Sequence, residues 1–154
     1  MRVLNDFNTS VHKALEEIDP KYMDYPGLII CGTHAPHDTE YMIIQAREAL
    51  FTGIPFLGIC FGHQIAAIAW AQRSGIPDAT SEEFGTGTYV VKKLPKLKVG
   101  LHNGETYWNN YEVSIDWDKP SNFFTAQFHP EYQSSKDKPH PLLVSFLNYA
   151  IMAV

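Results

Sequence analysis

The stretch PFLGICFGHQ, residues 55–64, joins an apolar run to a cysteine held between two glycines, and a segment typical of a helix follows. Residues 56–59 predict a buried strand, and residues 63–73, ending in AAIAWAQR, predict a helix. Cys60 therefore lies in a G-x-C-x-G turn between strand and helix, which is the sequence context of a nucleophile elbow. The alternative is a packing residue, because free cysteines are commonly buried.

An elbow makes specific physical demands on the residues around it. The turn holds the nucleophile in a strained conformation, and its neighbours must be small where backbone and helix approach closely. The N-terminus of the following helix offers free N–H groups and the positive end of the helix dipole, which stabilise a nearby thiolate. The backbone N–H of Phe61 is then a candidate oxyanion donor.

A thiolate nucleophile also needs a base, and residues 127–131, QFHPE, supply a candidate after the strand-like FFTAQ. His129 could accept the proton of Cys60, and Glu131 could hold the imidazole by its other nitrogen. A lone histidine is more often structural. The combination of His-Pro-Glu with the elbow in one chain favours a nucleophile, a base and an orienting carboxylate.

The rest of the chain predicts an α/β protein. Strand patterns at 2–5, 27–31 and 56–59 alternate with helix patterns at 11–18, 40–51 and 63–73. Later residues are rich in strand patterns, at 88–91, 96–101, 111–115 and 123–127, before a closing helix over 141–152. We expect one domain over residues 1–154, with a mostly parallel central sheet flanked by helices and a small added β element.

Composition narrows the classes of function. A net charge of −5 argues against a nucleic-acid binder, which would need a basic face. No apolar run reaches about 18 residues, so no transmembrane helix is expected. The N-terminal sequence lacks the apolar core of a signal peptide, so we expect a cytoplasmic protein that does not bind membranes.

Two further residue groups have a plain structural interpretation. Cys31 ends a predicted buried strand and is interpreted as a packing residue, although the sequence does not give its separation from Cys60. His34 and His37, beside Asp38, could form part of a metal site, but a third firm ligand is missing and a solvated loop is the better interpretation. We therefore predict neither a metal site nor a cofactor.

On these motifs the sequence resembles the class I glutamine amidotransferases, whose elbow and QFHPE motif are similar to residues 58–64, GICFGHQ, and 127–131. More narrowly, it is similar to the amidotransferase domains of CTP synthases. The segments that carry this narrower resemblance are DFNTSVH at 6–12, SEEF at 81–84, NYEV at 110–113 and the C-terminal stretch 127–147. The resemblance runs over nearly the whole chain and implies a flavodoxin-like α/β fold.

The resemblance also implies a reaction. A cysteine thiolate attacks the side-chain amide of L-glutamine, ammonia leaves, and water releases glutamate from a γ-glutamyl thioester. Carried over by position, Cys60 is the nucleophile, His129 the base and acid, and Glu131 the orienting group. Gln64 and Glu83 match positions that contact bound glutamine, although by residue type alone both are plain polar side chains. Ammonia would pass to a separate acceptor or synthetase protein.

Two departures concern the substrate pocket. Where the family has an arginine that pairs with the α-carboxylate of glutamine, this chain has Asn110, which cannot form a bidentate charged pair. The expected cost is on the order of 1.5–3 kcal/mol. Nearby, Tyr107 and Trp108 could offer an apolar or stacking surface to the substrate, or could pack within a hairpin. The oxyanion loop carries Gly32-Thr33 in place of a Gly-Gly pair. The resemblance places Gly32 among the substrate-binding residues and the Thr33 N–H in the oxyanion hole, although a β-branched threonine resists positive φ.

The third departure is length. Between the predicted helix at 11–18 and the strand at 27–31 only a short connection remains, so roughly one βα unit of the family domain is absent. An edge strand left without its neighbour would need protection, which is compatible with a homodimer.

Three hypotheses follow. The first is a free-standing glutamine amidotransferase subunit. The second keeps the thiol chemistry but acts on a different amide or γ-glutamyl substrate. The third is a non-catalytic binding or regulatory module that retains the fold.

Overall fold

The computed structural model of the chain describes residues 1–5 and 9–154. Residues 6–8, which begin the DFNTSVH resemblance, lie outside the described residues. In chain order the elements are β1 (Arg2–Leu4), α1 (Ser10–Ile18), β2 (Leu28–Ile30), α2 (Thr39–Thr52), β3 (Phe56–Ile59), α3 (Phe61–Arg73), β4 (Ala79–Ser81), β5 (Thr88–His102), β6 (Glu105–Val113), β7 (Phe123–Ala126) and α4 (Pro141–Met152). Short 3-10 turns occur at Tyr22–Asp24 and Pro130–Gln133.

The central sheet is parallel throughout its described strands, with the order β1-β2-β3-β7. Parallel neighbours align their carboxyl ends at one edge, so the loops after β2, β3 and β7 meet there. The backbone N–H of Cys60 donates to the carbonyl of Ala126 at 2.8 Å, which ties the turn after β3 to the end of β7. The predicted fold class is confirmed, including the small added β element.

Alternation along the strands distributes the core to both faces of this sheet. Leu28 and Ile30 of β2 face one cluster, which includes residues of α2 and α3. Ile29, between them, faces the other cluster, which is completed by residues of α1 and α4. Successive strand residues point to opposite faces, so a sheet covered by helices on both sides requires an uninterrupted apolar run.

The strand-rich second half forms a separate three-stranded sheet in which β4 pairs parallel with β5 and β5 pairs antiparallel with β6. The strands predicted at 88–91 and 96–101 are two halves of the single strand β5. The pairing register shifts between Lys93 and Lys98, around Pro95, which has no N–H to donate to a ladder.

Two elements of this second sheet differ from expectation. The short strand β4 was not predicted, and β6 begins at Glu105, well before the predicted strand at 111–115. Asn103 and Gly104 form the hairpin turn with φ values of 54° and 80°, and Asn-Gly is a strong turn signal of this kind. Use of this signal would have extended the predicted strand back towards the turn, so that it included residues 105–110.

The connection between α1 and β2 contains only the 3-10 turn at Tyr22–Asp24, and β1 pairs directly with β2. No helix among the described residues is long and apolar enough to cross a membrane.

Candidate active site

The turn at Cys60 has the geometry expected of an elbow. Cys60 has φ 54° and ψ −101°, and it lies between the last residue of β3 and the first residue of α3. A Cβ atom on Gly62 would lie 1.9 Å from the carbonyl oxygen of Ile30, and one on Gly58 would lie 2.7 Å from the carbonyl oxygen of Gly62. A side chain at either position would therefore meet backbone atoms, which is the close approach expected at such a turn.

A histidine–carboxylate pair follows β7. His129 Nδ1 lies 3.0 Å from Glu131 Oε2, and both residues are buried. The backbone N–H of His129 donates to the carbonyl of Thr106 at 2.7 Å, which fixes the segment against β6. With Nδ1 directed at a carboxylate, the tautomer with a proton on Nδ1 leaves Nε2 as the free acceptor.

Gly32 separates the cysteine from this histidine. A Cβ atom at Gly32 would lie 3.0 Å from His129 Cε1 and 3.3 Å from Cys60 Cβ. Gly32 is thus the point of close approach between the two side chains. It was predicted as a substrate-binding residue, and its position supports a spacing role next to them.

Electrostatics favour the charged form of His129. Burial opposes protonation, but hydrogen bonding and negative charge from Cys60 and Glu131 outweigh it and raise the pKa of His129 to about 10. Nε2 makes no hydrogen bond of normal geometry among the described residues, so Cys60 acts on the imidazole through its proximity and negative charge. The 3.0 Å hydrogen bond between Nδ1 and Glu131 Oε2 stabilises the protonated imidazole.

A narrow cavity of about 50 Å³ lies beside Cys60. The elbow contributes Cys60, Phe61 and Gln64, the loop after β2 contributes Thr33 and His34, and β6 contributes residues 108–111. Glu83 completes the lining from the segment after β4. The cavity therefore brings together parts of the chain that are as much as 78 positions apart, between residues 33 and 111.

The mouth of the cavity is covered by aromatic side chains. The rings of His34 and Trp108 are 5.0 Å apart between centroids and tilted by 45°. The carbonyl oxygen of Trp108 lies 3.7 Å from Cys60 Sγ, so β6 passes directly over the cysteine, which is only 4% exposed. Trp108, predicted as a substrate contact, lies where it could control access.

Two glutamine side chains lie next to Cys60, and one of them, Gln64, lines the cavity. Gln64 Nε2 donates to the carbonyl of Tyr111 at 3.0 Å and to Gln127 Oε1 at 3.2 Å, while Gln127 Nε2 lies 3.5 Å from Cys60 Sγ. Gln64 is buried, so the alternative of a solvent-facing side chain is wrong. Gln127 was quoted within a motif but given no role, and only the folded structure brings its amide to the sulfur.

Asn109 is a lining residue that the sequence did not single out. Its side chain is 3% exposed, and Nδ2 donates to the carbonyl of Tyr111 at 2.9 Å. That carbonyl fixes the orientation of the Asn109 amide, because a flipped amide would place Oδ1 against the carbonyl oxygen of Tyr111. Its Oδ1 is buried and has no hydrogen-bond partner among the described residues.

The remaining predicted substrate contacts lie towards the outside. Asn110 is exposed at the edge of the cavity, and Glu83 is partly buried in its lining. Burial raises the pKa of Glu83. Thr33 lines the cavity and is not among the residues with positive φ, so the expected strain of a β-branched residue does not arise.

Tyr107, predicted as a substrate-binding residue, is not among the described residues that line this cavity. Its ring packs edge-on against Phe128 at 5.9 Å, and the ammonium of Lys98 lies 3.9 Å above it. These contacts hold the ring between the β5–β6 hairpin and the segment that follows β7. The packing alternative considered for Tyr107 is the one that its surroundings support.

The loop after β2 shows no metal chemistry. His37 Nδ1 lies 3.2 Å from Asp38 Oδ2 on the exposed surface, whereas His34 faces Trp108. Within residues 1–5 and 9–154, no group of three or more His, Cys, Asp or Glu side chains could hold a metal ion. Cys31 is buried in the core, and no disulfide joins it to Cys60.

Comparisons with known proteins agree with this architecture. The family model described as glutamine amidotransferase class-I matches residues 4–118. The CTP synthase of Methanoregula boonei is 28% identical over 177 positions, covering 80% of this chain and 34% of that protein. The CTP synthase of Rickettsia rickettsii is 26% identical over 197 positions, covering 88% of this chain and 37% of that protein.

The chain therefore spans about a third of the length of these curated relatives. Both alignments are longer than the 154 residues of this chain, so the aligned regions of the relatives contain residues with no counterpart here. Among solved structures, the glutaminase domain of Trypanosoma brucei CTP synthase with bound acivicin superimposes with a TM-score of 0.77. It is 19% identical, and the match covers 100% of this chain and 95% of that one, which shows a common fold.

Proposed function

This chain belongs to the class I glutamine amidotransferase family, and from that premise we propose that it is a cysteine hydrolase acting on the side-chain amide of L-glutamine. The observation that carries the proposal is the buried His129–Glu131 pair, whose free Nε2 lies beside the cysteine of a strained strand-to-helix turn. A packing cysteine needs neither a positive φ nor a histidine held by a carboxylate.

The first half of the reaction forms a thioester. With the proton of Cys60 held on His129 Nε2, a state that the raised pKa of His129 favours, the thiolate attacks the amide carbon of the substrate. The imidazolium then gives this proton to the leaving nitrogen, so that the C–N bond breaks and ammonia departs. Glu131 would keep Nδ1–H oriented and stabilise the imidazolium, as a triad carboxylate does.

The second half regenerates the thiol. His129 takes a proton from water, and the resulting hydroxide attacks the thioester carbon. The C–S bond breaks, the sulfur regains a proton from His129, and glutamate is released. Negative charge on the substrate oxygen would be stabilised by the backbone N–H groups of Phe61, at the start of α3, and of Thr33.

The fate of ammonia is the part of the proposal that depends most on the relatives. This chain matches about a third of the length of each CTP synthase. We propose that ammonia passes to a separate synthetase-type acceptor protein.

The test is release of ammonia and glutamate from L-glutamine by the purified chain. Cys60→Ala should abolish release, whereas Cys31→Ala, which changes the other buried thiol, should retain it. An electrophilic amide analogue should label wild type and not Cys60→Ala. If wild type shows neither turnover of any carboxamide nor labelling, the non-catalytic module replaces this proposal.

One observation favours the second candidate, the same chemistry on a different amide. The cavity beside Cys60 is lined by the carboxylate of Glu83, and the lining residues that the structure describes include no lysine or arginine for the α-carboxylate of glutamine.

A further inference from the structure

The charge around the cavity is unusual for a site that binds an amino acid. Glu83 is its only carboxylate, and the described lining residues include no lysine or arginine. His34 is the one lining side chain that can become cationic, and only on protonation. A free α-carboxylate entering this cavity would therefore meet a negative charge with no fixed positive charge to offset it.

The nearest lysine of the hairpin does not supply that charge. Lys98 is paired with Asn109 in the register of β5 and β6, but its ammonium lies 3.9 Å above the ring of Tyr107. Neither Lys98 nor Tyr107 lines the cavity. The lysine is thus held by an aromatic face outside the space beside Cys60.

A second, independent feature requires a donor from the ligand. Asn109 Oδ1 is buried and lacks a partner, while its Nδ2 is already used by the carbonyl of Tyr111. A buried acceptor without a partner costs free energy, and an N–H donor from a bound molecule would recover it. Asn109 and Glu83, which both line the cavity, therefore both favour a ligand that carries ammonium or N–H groups.

We propose that this cavity selects primary carboxamides whose opposite end is an amine without a free carboxylate, with Glu83 and Asn109 as the residues that determine this specificity. The inference rests on the proposed cysteine hydrolase activity and specifies the substrate class of that same site. L-Glutamine has the required amide and amine, but its α-carboxylate opposes binding, so it is a poor member of the class.

Four carboxamides test the effect of the amine and the effect of the carboxylate separately. L-Glutamine has both the carboxylate and the amine, 4-aminobutanamide lacks only the carboxylate, glutaramate lacks only the amine, and butanamide lacks both. With ammonia release assayed at pH 8, where an ordinary imidazole is neutral, kcat/KM for 4-aminobutanamide should exceed that for L-glutamine by about tenfold or more. Glutaramate should be the poorest of the four.

Two variants change the charge of the cavity. Glu83→Gln should lower the ratio of kcat/KM for 4-aminobutanamide over L-glutamine, because the amine loses its charged partner. Asn110→Arg, at the exposed edge of the cavity, should lower that ratio by about tenfold, because it supplies a partner for the carboxylate. Leu101→Arg adds the same charge to the same hairpin at a position that is 67% exposed and outside the lining, and should leave the ratio unchanged.

The measured activities test the substrate specificity and the proposed hydrolase activity separately. If L-glutamine is hydrolysed as well as or better than 4-aminobutanamide, and Cys60→Ala abolishes that activity, the inference is overturned and the hydrolase proposal stands. If none of the four amides is hydrolysed, the inference is overturned, and the absence of labelling at Cys60 as well would overturn the hydrolase proposal. A higher kcat/KM for 4-aminobutanamide that Asn110→Arg reverses and Leu101→Arg does not would establish the specificity.

Discussion

The side-chain amide of Gln127 lies 3.5 Å from the sulfur of Cys60, and its nitrogen is directed at that sulfur. Gln127 comes two positions before His129, so one short segment after β7 supplies both a hydrogen-bond donor and the proposed base. The same amide accepts from Gln64 through Oε1, which fixes its orientation.

This contact predicts a measurable role for Gln127. Replacing it with leucine removes a donor that stabilises negative charge on sulfur, so kcat/KM should fall about tenfold, the equivalent of roughly 1.4 kcal/mol. Gln133→Leu is the matched control, because Gln133 donates to Thr106 Oγ1 on the exposed side of the same segment. Equal losses in the two variants would contradict a specific role for Gln127.

Glu131 should be needed for the tautomer of His129. Glu131→Gln keeps the shape but can present an N–H towards Nδ1, so kcat should fall by about 10²–10⁴-fold while the fold is retained. Glu105→Gln is the control, since Glu105 forms a similar pair with His140 at 2.8 Å away from the cavity lining. Steady-state kinetics beside circular dichroism distinguishes the two, and full activity in Glu131→Gln would remove the carboxylate from the mechanism.

The glycines of the elbow should be essential for packing. Gly62→Ala places a Cβ atom 1.9 Å from a backbone oxygen of β2, which the rigid sheet cannot accommodate without moving. We expect a loss of about 3–5 kcal/mol in the free energy of unfolding measured in urea. Gly53→Ala, at φ 76° with open space around it, should cost only about 1 kcal/mol, the strain of the left-handed conformation. A similar cost for both would contradict the close approach.

Access to Cys60 should depend on Trp108. Its ring lies against His34 over the cavity, so Trp108→Ala should increase the rate of alkylation of Cys60 by a bulky maleimide about tenfold. Leu101→Ala, which shortens another exposed side chain of the hairpin, should leave the rate unchanged. Mass spectrometry of the labelled cysteine gives the rate, and unchanged labelling in Trp108→Ala would show that the ring does not cover the thiol.

His63 predicts a loss of stability in acid. Burial, with a smaller contribution from the charge of Lys119, lowers the pKa of His63 to about 3, and Nδ1 is within 2.9 Å of Thr125 Oγ1. The unfolded chain binds this proton near pH 6.5 and the folded chain does not, so stability is lost as the pH falls below 6.5 towards 3.

The measurement is the free energy of unfolding at pH 8 and pH 5 for wild type and His63→Asn, whose amide can still reach Thr125. Wild type should lose about 2 kcal/mol more than the variant between these two values, because only wild type has the buried imidazole. The remaining titratable groups are the same in both proteins, so their contributions cancel in the comparison. Parallel pH profiles would contradict the prediction.

The local pattern of the chain anticipated most of the central fold. The strands at 2–5, 27–31 and 56–59 correspond to β1, β2 and β3, because a parallel sheet covered on both faces requires short, continuous apolar runs. The hairpin was predicted less well. Pro95 divided one strand into two patterns, and the polar Asn109-Asn110 pair concealed the middle of β6.

The residues of the candidate site were likewise predicted only in part. Cys60, His129 and Glu131 could be selected from the sequence because their local motifs carry the chemistry. Tyr107 and Asn109 could not be ranked, since both lie on one strand and only their neighbours decide between packing and lining. Phe128 and Lys98 occupy the ring of Tyr107, whereas Asn109 is buried against the cavity.

The sequence by itself determined the strand–turn–helix at Cys60, because glycine spacing and apolar runs act over a few residues. It likewise determined the family and the identity of the proposed triad. Only the tertiary structure decided what surrounds the sulfur, because strand pairings and helix packing between distant segments bring Gln127 to it and bring Glu83 and Asn109 to the cavity beside it. The charge of a cavity is a property of side chains that converge in space, and no local pattern encodes that convergence.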